Sequence, residues 1–178
     1  HTWAIQSSVA FTNHILDSGS TPSVITAIMK QQTTERARKV LLDGMDIYAG
    51  SGICRGPNNL FSKFYQAAPI SVTVEGSNVL TRSLIIFGQG LNKSHPFIFP
   101  ILSAIETKDN DSFGKEMTNL TKHVLFQYVK SLQPITFSSF SENRLALLTS
   151  KFANLSNFVA LLGGGIKSKQ ILSGKMAD

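Results

Sequence analysis

Glu75 stands in the stretch Ser71-Val72-Thr73-Val74-Glu75-Gly76-Ser77-Asn78, between a β-branched run and a Gly-Ser pair that reads as a helix start. A carboxylate in that position can be a capping or surface acid, or it can be a general base that takes a proton from a bound substrate. Desolvation by Val72 and Val74 would raise its pKa, and the helix N-terminus that follows would lower it. The residues alone leave the sign of the sum open.

The other chemistry-capable types are sparse. Gly50, Gly52 and Gly56 in Ala49-Gly50-Ser51-Gly52-Ile53-Cys54-Arg55-Gly56 could let backbone approach a phosphate closely, or could simply end a helix. No Lys-Ser/Thr follows them and a helix rather than a strand precedes them, so neither a P-loop nor a dinucleotide fingerprint applies. His1, His14, His95 and His123 lack paired ligand spacing, and no metal site is expected. No serine lies in a nucleophile elbow. The lone Cys54 excludes an intrachain disulfide and a cysteine-cluster metal site, and is expected to be packing filler.

These residues belong to a chain of 178 residues, 42% hydrophobic, enough for one ordinary domain. The net charge of +6 comes from 17 Lys and Arg against 11 acids. The basic residues are scattered except in the tail, where Lys167, Lys169 and Lys175 form a solvated basic segment. No aromatic-basic interleaving points to nucleic acid. No apolar run is long enough to span a bilayer. The chain opens on His1 in what reads as helix without a preceding cap, so a cut from something longer is expected.

The elements that would position Glu75 are helices. Trp3, Ile5, Val9 and Phe11 mark a first one ending near Asp17-Ser18-Gly19-Ser20. Thr21 is expected to cap a long helix from Pro22 to about Tyr48, with Val24, Ile28, Ala37, Leu41 and Met45 at helical spacing. Its middle, Lys30 to Arg36, is polar and reads as a solvent face or as a meeting place for a polar ligand or partner. Asn58 or Asn59 would cap a short helix from Leu60 to Ala68, ended by Pro69, and Ile70 to Val74 reads as extended. Ser77 is an N-cap for a helix with Leu80, Leu84 and Phe87 facing inward. Further helices are expected through Phe97, Ile101 and Ile105, over Ser112 to Leu132 with Val124, Tyr128 and Leu132 inward, and over Ser141 to Leu162 after a Pro134-containing loop. The fold class is therefore all-α, a helical bundle with short connections.

Taken in order, MDIYAGSGI, KFYQAAPISVTVEGSNVLTR and SLIIFGQG resemble the C-terminal part of the acyl-CoA dehydrogenases, in particular the large bacterial form with an additional helical extension. The resemblance implies a C-terminal catalytic helical-bundle segment over residues 1–93 and a helical extension over residues 94–178, which contains ALLGGGIKSK, packed on it. It implies Glu75 as the base that removes the α-proton of a fatty acyl-CoA, with hydride from the β-carbon passing to FAD to leave trans-2-enoyl-CoA. It implies substrate binding by Glu75 and Gly76, through the backbone N–H at Glu75, and cofactor contacts from Gly50, Gly52 and Ser77. The family usually has Gln where Val79 stands, Gly where Ala49 stands, and Gln where Asp46 stands. Also implied are an electron-transfer acceptor, a homo-oligomer whose glycine turn lies against the FAD of a neighbouring subunit, and a cytoplasmic setting with peripheral attachment to the inner membrane left open. This segment alone is expected to be inactive, since the N-terminal helical and β domains complete the site. The alternative is a non-catalytic helical interaction module with a basic tail.

Overall fold

The computed structural model describes residues 1–132 and 142–178. All regular structure among them is helical, which bears out the all-α class. Helices α1 (Thr2–Asp17), α2 (Ser23–Tyr48), α3 (Gly50–Ile53), α4 (Leu60–Thr73) and α5 (Asn78–Leu80) lead into a π-helical stretch, Thr81–Gln89. Then come α6 (Gly90–Ser94), α7 (Ile98–Thr107), α8 (Asn110–Ser131), α9 (Glu142–Ala160), a 3₁₀ turn (Gly163–Lys167) and α10 (Gln170–Ala177). Among the described residues no helix is long and apolar enough to cross a membrane. The Pro134 loop and the expected helix start at Ser141 lie outside the described residues.

Two compact units divide the chain, His1–Ile86 with Ala177–Asp178, and Phe87–Met176. The boundary thus falls at Ile86–Phe87, ahead of the 93/94 division expected from the sequence.

In the first unit α2 is the axis, with α1, α3 and α4 packed against it. The helix begins at Ser23 with Pro22 at the cap position and no side-chain cap, one residue later than the expected start at Pro22 with Thr21 as cap. Asn59 caps α4 by accepting from the N–H groups of Phe61 and Ser62, and its Nδ2 donates to the Gly52 and Cys54 carbonyls at 2.6 and 2.9 Å. Pro69 does not end α4, and the run expected to be extended is helical as far as Thr73. Proline removes one backbone donor, and side-chain hydroxyls secure the turn around it: Ser71 Oγ donates to the Ala68 carbonyl and Thr73 Oγ1 to the Pro69 carbonyl, both at 2.8 Å. Gly44 lets α4 approach, since a Cβ there would lie 2.5 Å from the Phe61 ring. Arg82 forms a bidentate pair with Asp178, which ties the chain's last residue to this unit. Cys54 is exposed, so it is not packing filler.

The expected inward face Leu80, Leu84, Phe87 is only partly right. Leu80 is exposed and Leu84 half-buried, while Asn78, Thr81, Ser83, Ile86 and Phe87 are buried. The π-helical winding explains the shift, because i→i+5 bonding takes an extra residue into each turn and displaces an α-helical stripe.

In the second unit α8 packs between α7 and α9, and the buried apolar side chains are Phe87, Ala104, Leu147, Val159, Ile166 and Met176. Of the expected α8 stripe, Val124 is half-buried but Tyr128 and Leu132 are exposed. The covered face runs instead through Leu120, His123, Val124, Gln127 and Ser131. Polar residues on it hid it from a hydrophobicity pattern. Lys151 of α9 donates to the Ser131 carbonyl at 2.5 Å and so satisfies the end of α8. His123 meets His95 and Phe97 edge to face, with ring centroids 5.8 and 5.4 Å away.

Burial, and then repulsion by His95, hold the His123 imidazole below the ordinary histidine range. A depressed folded value favours the neutral ring in the fold. Its contribution is therefore complete above the unfolded value of about 6.5, and it is lost as pH falls through the folded value. Urea denaturation between pH 7 and 5 should show stability declining with acid, with a shallower decline in His123→Gln, and NMR titration should put the His123 midpoint below that of an exposed histidine.

Candidate functional site

The turn from Val74 to Ser77 carries Glu75, and its backbone is unusual. Glu75 has φ 54° and Gly76 φ 89°, so two successive residues are left-handed. Glycine adopts that conformation freely, but glutamate does so at a cost of roughly 1–3 kcal/mol and only where the surroundings hold it.

The polar middle of α2 supplies the hold. Lys30 Nζ donates to the Gly76 carbonyl at 2.6 Å and to Asn78 Oδ1 at 2.7 Å, with a longer contact of 3.5 Å to the Val72 carbonyl. The Val72 carbonyl belongs to the last turn of α4, the negative end of its dipole, where a cation is favoured. Asn78 is 4% exposed and fully used: its Nδ2 donates to Thr34 Oγ1 and to Glu35 Oε1, both at 2.9 Å. Lys30, Thr34 and Glu35 were legible in sequence only as a polar interruption in an amphipathic helix. Half-buried side chains of that interruption form the socket of the Glu75 turn, so it is not simply a solvent face.

Within this frame Glu75 is exposed, and its carboxylate has no hydrogen-bond partner among the described residues. The backbone N–H groups of Glu75 and Gly76 likewise have none. Val74 is exposed as well, so this segment does not itself wall the carboxylate with apolar groups. Ser77 acts as the expected N-cap, its Oγ accepting from the Leu80 N–H at 3.3 Å, which leaves its hydroxyl hydrogen free to donate.

The glycine turn lies elsewhere. Between Lys30 and Tyr48 α2 advances about 27 Å, at 1.5 Å per residue, so Gly50 and Gly52 are at one end of the helix while Glu75 docks near its middle. Gly50 is open, since a Cβ there would meet nothing within 4 Å. Gly52 is buried, and a Cβ would lie 2.9 Å from the Met45 carbonyl oxygen, so packing alone requires a glycine. Ala49 has φ 46° and ψ −127°, a glycine-type conformation on a residue with a Cβ. Thus Glu75, Gly76 and Ser77 come together and Gly50 and Gly52 form a separate surface.

No protein-family model matches the chain, and no solved structure matches it.

Lys30→Met should destabilise the chain by about 2–3 kcal/mol, because it removes a charged donor and leaves the Gly76 and Asn78 acceptors unpaired. Urea denaturation measures this, with Lys39→Met on the exposed part of α2 as the neutral control. Ala49→Gly should act in the opposite direction and raise stability by about 1 kcal/mol by relieving the left-handed alanine. In thermal unfolding that corresponds to roughly 2–4 °C.

Proposed function

We propose that this chain is part of an FAD-dependent acyl-CoA dehydrogenase of fatty-acid β-oxidation and that Glu75 is its catalytic base. The observation that carries the reading is the Glu75–Gly76 turn: a carboxylate and a backbone N–H, both without a partner among the described residues, on the same strained residue, held from behind by half-buried Lys30 and buried Asn78. Strain of this kind in a non-glycine residue collects where a side chain has to be aimed. The resemblance of MDIYAGSGI, KFYQAAPISVTVEGSNVLTR and SLIIFGQG to that family supplies the reaction class.

In this reading Glu75 takes the proton from the α-carbon of a fatty acyl-CoA. The Glu75 N–H donates to the thioester carbonyl oxygen, where negative charge grows as the proton leaves. Gly76 keeps the turn open to the thioester. FAD, when bound, supplies the acceptor for the β-hydride, and the product is the trans-2-enoyl-CoA. The residues present fit the cofactor's ADP part at two places that α2 holds apart: the free Ser77 hydroxyl hydrogen is suited to phosphate in one subunit and the open backbone at Gly50 to the flavin of a neighbouring subunit, whereas Gly52 supports the turn. The glycine-type backbone at Ala49 suits a turn that has glycine at this position in the family.

A homo-oligomer is part of the proposal. Ile47 (81% exposed), Ile53 (73%), Leu60 (67%) and Phe64 (63%) cluster in sequence around the glycine turn, and apolar groups of that size invite a second copy. The apolar walls around Glu75 would come from the N-terminal and β domains of the enzyme, so the segment by itself is inactive. An electron-transfer acceptor is the further partner.

Glu75→Gln in the flavin-loaded enzyme that carries this segment tests the reading. Glutamine keeps the volume and the backbone N–H but cannot accept the proton. Acyl-CoA-dependent bleaching of the flavin under anaerobic conditions should slow by at least about 10⁴-fold, the upper end of general-base contributions, with flavin content unchanged. A rate within tenfold of the parent would make Glu75 a turn acid and remove the proposed base.

A further inference from the structure

The second unit holds a cavity of about 580 Å³ that has no part in the Glu75 site, within the size range of small-molecule sites. Ile101 and Leu102 of α7, Leu120 and Val124 of α8 and Ile166 of the 3₁₀ turn give it an apolar interior. Its polar lining is one-sided in character. Asn92, His95, Asn154, Asn157 and Lys167 are its polar members, and no Asp or Glu is among the described lining residues.

Asn157 is fixed in the cavity wall by His95. The Phe97 N–H donates to His95 Nδ1 at 3.2 Å, so in the neutral imidazole the ring hydrogen is on Nε2, and Nε2 donates to Asn157 Oδ1 at 3.0 Å. The amide orientation is thereby set, with Nδ2 turned away from the histidine. Nδ2 is buried and has no acceptor among the described residues. Lys167 is exposed and lines the same cavity from the 3₁₀ turn, so it adds a cation where the cavity opens to water.

We propose that this cavity binds an aliphatic carboxylate, with the hydrocarbon chain among the α7 and α8 side chains and the carboxylate oxygens taken by Lys167 at its mouth. An apolar interior favours the chain, and one lysine with no carboxylate among the described lining residues favours an anion over an alcohol or an amine. The site lies apart from Glu75 and does not depend on the dehydrogenase reading.

Isothermal titration of the 178-residue chain with decanoate below its micellar range, beside decanol and decylamine, tests this. Decanoate should bind saturably at one site, with decanol at least tenfold weaker and decylamine weaker still. Lys167→Gln, on an exposed residue that folding does not depend on, should weaken decanoate about tenfold and leave decanol unchanged. Asn157→Asp should abolish decanoate binding by setting a carboxylate against it. Leu120→Trp, checked for folding by circular dichroism, should exclude all chains by filling the interior. Decanoyl-CoA in place of decanoate distinguishes a free acid from a thioester, and the proposal requires the free acid to bind more tightly. Equal binding of decanoate and decanol, unchanged affinity in Lys167→Gln, or no saturable binding of decanoate would each overturn it.

Discussion

The Lys30 ammonium sits where three acceptors of different origin converge: the Val72 carbonyl at the end of α4, the Gly76 carbonyl in the turn, and the Asn78 side chain at the start of the next helix. One point charge on a flexible stem can serve all of them, whereas a planar guanidinium would impose its own fork. Because the three acceptors flank Glu75 on both sides, the clamp fixes the chain's direction before and after that residue. The left-handed backbone at Glu75 and Gly76 then has no easier conformation to relax into.

This arrangement gives α2 two separate duties. Its polar middle receives the turn, and its C-terminal end passes into the glycine turn through Ala49. Neither stretch is an apolar stripe, and the helix has no fully buried residue. Of the described apolar residues in the first unit only Ile86 is fully buried. The unit is thus organised by polar contacts and by partial burial, and it leaves large apolar side chains such as Trp3, Ile47 and Phe64 in contact with solvent.

The second unit solves its packing differently. Small polar residues, Ser131, Ser150, Ser156 and Ser173, are buried beside its apolar core. Ser150 turns its hydroxyl back to the Ala146 carbonyl at 2.9 Å, and Ser131 does so to the Tyr128 carbonyl at 2.7 Å. Such local bonds let polar side chains face the interior at little cost. They also let helices meet along faces that carry few large apolar residues, and the space this leaves between α7, α8 and α9 is part of the same geometry.

Much of the helical order was determined by local sequence. The breaks at Asp17–Ser20, the Asn59 and Ser77 caps and the long helix to Tyr48 follow from turn formers, cap chemistry and periodicity, all of which act within a few residues. Glu75 was legible as a candidate, from its neighbours Val74 and Gly76. Tertiary structure decided the rest. Pro69 and the β-branched run after it are helical because hydroxyl bonds and packing on α2 outweigh weak intrinsic preference. The inward face after Ser77 moved because π winding changes the period on which any pattern is counted. Lys30 and Thr34 lie 48 and 44 positions from Asn78, and His95 and Asn157 are 62 apart. Each is an ordinary polar residue in its local sequence. Their roles arise only when folding removes water and brings them within hydrogen-bond reach of one another, which no local pattern encodes.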